Sequence, residues 1–99
     1  MCLFFFANLA AMKQRQISDR KLIFDDEGIG AFAVQLKRIR LREGFTQSQL
    51  AFESGLSLSQ IARIETARIN PTLSTIFALA RTLNVPLPDL FNFELKTKV

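Results

Sequence analysis

Apolar residues recur at steps of three and four along much of the chain, which is the spacing of the buried face of an amphipathic helix. The first such stripe consists of Ile29, Phe32, Leu36 and Ile39. Three acidic residues at positions 25–27 precede it, where negative charge suits the positive end of a helix dipole. Gly44 follows the stripe, and glycine commonly ends a helix. The pattern therefore predicts a helix that ends near Gly44.

The stretch Gln47–Thr66 predicts two short helices joined by a tight turn. Each helix begins with the residues of a capping box, which are Thr46 with Gln49 and Ser57 with Gln60. Between the helices, Gly55 can adopt the positive φ that such a turn requires. Ala51 is small enough to let the two helices cross closely. The stretch is therefore predicted to be a helix-turn-helix motif.

Two more helices are predicted near the C-terminus. The buried stripe of the first is expected to consist of Leu73, Ile76, Phe77, Ala80 and Leu83. Asn70-Pro71-Thr72 precedes this helix as a break and a cap, and Asn84 can take the left-handed conformation that closes it. The segment 86–88 begins a last short helix, in which Leu90 and Phe91 are expected to face the core.

Residues Leu36–Phe91 resemble the XRE, or phage repressor and Cro-like, helix-turn-helix family. The positions that carry the resemblance are Arg40, Gly44, Thr46-Gln47, Leu50-Ala51, Gly55, Ile61, Glu65, Pro71, Leu79-Ala80, Leu83 and Leu90-Phe91. The resemblance implies an all-α fold, a compact five-helix bundle of the lambda-repressor-like type, and a sequence-specific regulator of transcription that binds double-stranded DNA. One position departs from the family, because Ala67 stands where the family usually has glycine. Since a Cβ disfavours the left-handed conformation, we expect the preceding helix to run on instead of turning sharply.

The second helix of the motif carries the candidate base contacts. If it enters a major groove, its outward positions are expected to reach base edges, and by spacing these are Leu58, Ser59, Ala62 and Arg63. Ile61 and Ile64 point the other way, into the core. The resemblance places base contacts at Leu58, Ser59 and Arg63. Arg63 can bond O6 and N7 of guanine together, or it can contact a phosphate or remain a surface arginine. Leu58 can contact a thymine methyl or serve in packing.

Contacts to the DNA backbone are expected at helix starts and in the loop after the recognition helix. The candidates for phosphate contacts are Gln47, Ser57, Gln60, Arg68, Asn70 and Thr72. In the family an arginine and a glutamate usually form an ion pair between the first and third helices, and the matching residues here are Arg40 and Glu65. The resemblance implies that this pair is structural and does not contact bases.

The charge of the chain agrees with a polyanionic partner, and its lack of histidine, the usual general base, argues against catalysis. The 99 residues include 13 Lys and Arg and 9 Asp and Glu, for a net charge of +4. Ten of the 13 basic residues lie between Lys13 and Arg68, so the charge is concentrated in one part of the chain. There is no histidine and only one cysteine, which excludes a disulfide within the chain and a Cys/His zinc site. We expect no metal, no cofactor and no enzyme activity, and a reducing cytoplasm as the compartment.

Residues 1–27 are expected to form an N-terminal extension, followed by the DNA-binding domain at 28–95 and a short tail at 96–99. Met1–Met12 is strongly apolar but too short to span a bilayer as a helix. Three interpretations remain open: an extension without a fixed role upstream of a start at Met12, an arm that packs on the domain or on a second subunit, or a membrane attachment. Gln16–Phe24 can form an extended segment that pairs between subunits.

Three functional interpretations remain open from the sequence. The first is a repressor or autoregulator that acts by occupying a palindromic operator as a homodimer, with Phe91, Phe93 and Leu95 or the N-terminal arm as the candidate dimer surface. Within it, a restriction-modification controller and an antitoxin are alternatives. The second is a protein-interaction adaptor with the same helical fold. The third is a regulator tethered to a membrane by Met1–Met12.

Overall fold

The computed structural model describes residues 22–97, which form five α-helices and no β-strand within that range. The helices, numbered here in chain order, are α1 (Asp26–Arg42), α2 (Gln47–Ser54), α3 (Leu58–Glu65), α4 (Leu73–Leu83) and α5 (Leu87–Leu90). α2 packs against α3 and α4, and α1 packs against α3 and α5. This arrangement confirms the predicted all-α bundle of five helices.

The first helix begins and ends with the residues that favour a helix terminus. Asp25 is the N-cap, and its Oδ1 accepts a hydrogen bond of 2.8 Å from the backbone amide of Gly28. The start of the DNA-binding domain is predicted at residue 28, which lies inside α1. Asp25 caps the helix, and the two acidic residues after it occupy its first turn. At the other end, Gly44 has a φ of 80° and turns the chain towards α2.

Both helices of the predicted motif begin with a complete capping box. Thr46 and Gln49 cap each other at the start of α2, and Ser57 and Gln60 do so at the start of α3. Gly55 has a φ of 81°, the left-handed conformation expected at the turn between the two helices. These signals all lie within 15 residues, and each is local, so the sequence predicts the starts of α2 and α3 and the turn between them.

The core lies where the four longer helices meet. Its fully buried side chains are Leu36, Ile39, Leu50, Ile61, Ile64, Leu79, Leu83 and Leu90. Ala51 is also buried in this cluster, as expected of a small residue at a helix crossing. Every helix contributes at least one of these nine side chains, so each helix is packed into the same core.

The buried stripe predicted for α4 is partly wrong. Leu73 is 69% and Phe77 42% exposed, whereas Leu79 is fully buried. At about 100° per residue, Phe77 lies about 100° from the buried Ile76, but Leu79 lies only about 60° from it on the other side. The face that packs against α2 and α5 is therefore centred between Ile76 and Leu83, and Leu73 lies in the exposed first turn.

The C-terminal aromatic residues form a partly exposed layer beside the core. Phe91 is predicted to face the core, but it is 44% exposed. Its ring centre lies 5.5 Å from that of the buried Phe32 and 6.3 Å from that of Phe93. Leu90, in contrast, is fully buried as expected.

The expectation that α3 runs on past Ala67 is wrong. The helix ends at Glu65, and Ala67 has a φ of 59°. The amide of Ala67 donates to the carbonyl of Ile64 (3.2 Å), and the amide of Arg68 donates to the carbonyl of Arg63 (2.9 Å). These two bonds are the Schellman pattern. The turn forms with alanine because these bonds satisfy helix-end carbonyls and offset the cost of the Cβ.

Most predictions about the N-terminal extension concern residues outside the described part of the chain. The apolar stretch Met1–Met12 and most of Gln16–Phe24 lie there. The three described residues of the latter stretch, Leu22–Phe24, are exposed and do not belong to a strand. Between residues 22 and 97 no helix has the length and apolar character needed to cross a bilayer.

Candidate DNA-binding surface

The recognition helix α3 has one buried side and one exposed side. Ile61 and Ile64 are 0% and 1% exposed and hold the helix against the core. At about 100° per residue, Ser59 and Arg63 lie about 160° and 200° from Ile61, on the opposite side of the helix. Both are exposed. The structure thus brings these two predicted base-contact residues together on the free side of α3.

The two other predicted base-contact residues lie together along one edge of that exposed side. Leu58 is the first residue of α3 and is 49% exposed, and Ala62 is partly buried. They lie about 60° and 100° from Ile61, so each borders the core on one side and solvent on the other. A duplex along the exposed side would therefore meet an apolar edge next to Ser59 and Arg63.

Three of the predicted phosphate-contact residues already use their side chains as helix caps. Ser57 Oγ accepts from the amide of Gln60 (3.0 Å), and Gln60 Oε1 accepts from the amide of Ser57 (3.0 Å). Thr72 Oγ1 accepts from the amide of Thr75 (3.2 Å) at the start of α4. All three capping residues are exposed. Their hydroxyl and amide groups are therefore held in fixed positions at the start of α3 and of α4.

Arg68 and Asn70 are exposed in the loop after α3. The bond from the amide of Arg68 to the carbonyl of Arg63 places the two arginines at the same end of the helix. A duplex that contacts Arg63 through its bases would thus have a second guanidinium near its backbone.

Gln47 lies at the start of α2 and makes a contact that the sequence does not predict. Its Nε2 donates to Glu65 Oε1 (3.0 Å), although the two residues are 18 positions apart. No residue in the range 22–97 accepts a hydrogen bond from the backbone amides of Gln47 and Ser48. Ser48 was missed as a contact candidate, although the capping box at Thr46 and Gln49 is a signal that the first amides of the helix remain free.

The structure brings Arg40 and Glu65 together in a buried ion pair. Arg40 Nε lies 2.5 Å from Glu65 Oε2, and Arg40 Nη2 donates to Glu65 Oε1 at 3.0 Å. The two side chains are 6% and 3% exposed. Arg40 Nη1 also donates to the carbonyl of Phe45 (2.8 Å). The pair therefore links α1, the end of α3 and the loop that leads into α2.

Comparison with protein families assigns the five-helix domain to a known family. Residues 36–90, more than half of the chain, match the helix-turn-helix family. The chain belongs to that family. Its members are DNA-binding transcriptional regulators, and this confirms the resemblance stated from the sequence and the expectation that the chain is not an enzyme.

Curated relatives of this helix-turn-helix protein include a phage repressor. The immunity repressor protein of Bacillus phage phi105 is 40% identical over 60 residues, which is 61% of this chain and 42% of the repressor. An HTH-type transcriptional regulator of Archaeoglobus fulgidus is 32% identical over 60 residues, or 61% of this chain and 86% of the regulator. The chain therefore matches most of the archaeal relative and less than half the length of the phage repressor.

Solved structures give the same fold. The restriction-modification controller protein C.AhdI of Aeromonas hydrophila has 33% sequence identity and a TM-score of 0.62, over 64% of this chain and 96% of the controller. The wild-type restriction-modification controller protein C.Esp1396I has 30% identity and a TM-score of 0.60, over 64% of this chain and 83% of the controller. The helix-turn-helix protein is thus similar to proteins of one short domain as well as to longer regulators.

Proposed function

We propose that this helix-turn-helix protein is a sequence-specific repressor or autoregulator that binds double-stranded DNA with α3 in the major groove. The observation that carries the proposal is the position of Ser59 and Arg63. Both are exposed on the side of α3 opposite the buried Ile61 and Ile64. A helix fixed on one side and free on the other is the arrangement that a helix-turn-helix needs to enter a groove.

Four side chains would contact base edges, namely Leu58, Ser59, Ala62 and Arg63. The guanidinium of Arg63 can donate two hydrogen bonds to O6 and N7 of one guanine, a contact worth about 1–3 kcal/mol of discrimination. Ser59 can donate or accept and therefore discriminates less. Leu58, half exposed next to the partly buried Ala62, offers an apolar surface to a thymine methyl group. We propose that the operator half-site contains a guanine opposite Arg63 and a thymine near Leu58.

The backbone contacts would surround α3 at both ends. The residues proposed to contact phosphates are Gln47, Ser57, Gln60, Arg68, Asn70 and Thr72. The two amides at the start of α2 that have no acceptor among residues 22–97 and the cap residues of α3 and α4 support this assignment, because amide groups at helix starts bind anions well. These contacts would fix the orientation of α3 and carry no sequence information directly.

We further propose a homodimer on a palindromic operator, with repression by simple occupancy in the cytoplasm. One domain of this size covers few base pairs, and a two-fold dimer doubles the contacts. Phe91 and Leu95 support a dimer surface near the C-terminus because they are 44% and 45% exposed. The phage relative is named an immunity repressor and the structural neighbours are named controllers, which supports control of transcription by binding near a promoter.

Selection of bound duplexes from a random pool tests the proposal. The selected sequence should contain an inverted repeat, and Arg63→Ala should relax the preference at one position of each half-site. Arg68→Ala should weaken binding to the selected and to a scrambled duplex by the same factor. Arg63→Lys is the matched control because it retains the charge but not the two-hydrogen fork. Equal losses for both duplexes with Arg63→Ala would refute the base contact.

Salt dependence and sedimentation test the remaining parts. If several phosphates are contacted, affinity should fall steeply as salt rises, whereas a protein-interaction adaptor would give no selected duplex at all. The sedimenting species should have twice the mass of the chain at micromolar concentration. A monomer at high micromolar concentration would refute the dimer but not the contacts made by α3.

A further inference from the structure

We infer that Glu65 is a positioning residue that holds the side chain of Gln47 against the DNA backbone. This inference rests on the proposed function and adds a role for a carboxylate that the ion pair alone does not explain. Glu65 accepts three hydrogen bonds from two residues, and one of those residues lies at the proposed phosphate surface.

Both oxygens of the Glu65 carboxylate accept hydrogen bonds from the protein. Oε2 accepts from Arg40 Nε (2.5 Å), and Oε1 accepts from both Arg40 Nη2 (3.0 Å) and Gln47 Nε2 (3.0 Å). The side chain is 3% exposed. The guanidinium neutralises the carboxylate, so an acidic residue at the end of the recognition helix does not repel the duplex.

The same unit fixes the backbone that carries Gln47. Arg40 Nη1 donates to the carbonyl of Phe45 (2.8 Å), two residues before Gln47. The loop into α2 and the Gln47 side chain are therefore both tied to the Arg40–Glu65 pair. The position of Gln47 is set relative to the end of α3, so the two helices present their contacts in one fixed relation.

The Gln47 carboxamide keeps groups that can bind a phosphate. A primary amide has two N–H donors, and the bond to Glu65 uses one of them. The second N–H lies on a half-buried side chain at the start of α2, next to the backbone amides of Gln47 and Ser48, which donate to no residue in the described range 22–97. Because the hydrogen bond to Glu65 already orders the Gln47 side chain in the free protein, that side chain loses less conformational entropy when DNA binds.

The test is whether the binding cost of Gln47→Ala depends on Glu65. In the wild-type background this substitution should weaken binding to the selected duplex about 10-fold, the size of one hydrogen bond to a charged group. It should weaken binding to a scrambled duplex by the same factor. The dependence of affinity on salt concentration should not change, since glutamine carries no charge. In the Glu65→Asp background, where the carboxylate is withdrawn by one methylene, the cost should fall to about 2-fold or less.

Asn70→Ala is the matched control, because Asn70 is a proposed phosphate contact without a bond to Glu65. Its cost should be the same in both backgrounds. If thermal unfolding shows that the Glu65→Asp variant is not folded, the double variant Arg40→Met, Glu65→Leu replaces it as the background. Apolar residues of similar volume can replace a buried ion pair. An equal cost of Gln47→Ala in every background, or no cost in the wild type, overturns the inference.

The wild-type protein offers a second measurement without substitutions. In the NMR spectrum of the free protein, the two side-chain amide protons of Gln47 should differ in exchange rate, and the bonded proton should be the slower one. Equal, fast exchange for both overturns the inference. Failure to select any duplex overturns the proposed function as well, whereas specific binding with no coupling between Gln47 and Glu65 overturns only the inference.

Discussion

Ala67→Gly should stabilise the protein, although it removes a side chain. Ala67 has a φ of 59° in the turn that ends α3. The amides of Ala67 and Arg68 bond to carbonyls of α3 at 3.2 and 2.9 Å, and these bonds hold the strained conformation. Glycine adopts the same φ without steric cost and leaves both backbone bonds in place.

The size of the gain follows from three opposing contributions. Relief of the left-handed Cβ is worth roughly 1–2 kcal/mol, and the greater freedom of glycine in the unfolded chain costs roughly 0.4–1 kcal/mol. Ala67 is partly buried, so the loss of its methyl contacts costs about 0.4 kcal/mol, half the value of a fully buried methylene. The net gain is about 0.5 kcal/mol, or about 2–4 °C in Tm for a domain of this size.

Urea and thermal unfolding with a matched control measure this gain. Ala31→Gly removes the same methyl from the interior of α1, where φ is helical, and should cost about 1 kcal/mol. The two glycine variants should therefore shift the unfolding midpoint in opposite directions. A loss for Ala67→Gly as large as that for Ala31→Gly would refute the argument, because it would mean that Ala67 is not strained.

Four further substitutions test what holds α2 and α3 in place. Thr46→Ala and Ser57→Ala each remove a capping box and should lower the free energy of unfolding by about 1 kcal/mol in urea titrations; no change in either would mean that the caps are not formed in solution. Glu65→Ala leaves Arg40 buried without its partner and should cost about 3–5 kcal/mol by the same measurement; a cost below about 1 kcal/mol would indicate that the pair is hydrated. Ile61→Ala opens a cavity in the core and should cost about 2–5 kcal/mol in thermal unfolding, and a smaller cost would argue that α3 is loosely packed.

The parts of the fold that the sequence predicts are those with local causes. The capping boxes and the turn at Gly55 each involve residues no more than five positions apart, so a short stretch of the chain contains the whole interaction. The stripe of α1 was predicted for the same reason, because one long helix shows its period directly. The edges of the α4 stripe were not, since the burial of Leu79 and the exposure of Phe77 depend on where α2 and α5 lie.

The parts that the sequence alone does not predict depend on contacts across the fold. The bond from Gln47 to Glu65 joins residues 18 positions apart, and no periodicity or cap signal points to it. Arg40 and Glu65 are 25 positions apart, and their pairing was expected only from the family resemblance. At Ala67 the local preference of alanine pointed away from the conformation found, and the two backbone bonds of the turn overrode it.

The contacts that hold α3 in place do not involve its exposed side, so residues on that side can be substituted without loss of stability. α3 has eight residues and is held in place by the buried Ile61 and Ile64, by the capping box at Ser57 and by the Glu65 contacts. None of these contacts involves the side chains of Ser59 and Arg63. Substitutions such as Ser59→Gln or Arg63→Gln should therefore change the selected duplex while the free energy of unfolding stays within about 0.5 kcal/mol of wild type. Urea titration and duplex selection on the same variants measure both quantities, and a large loss of stability at either position would mean that the exposed side also supports the fold.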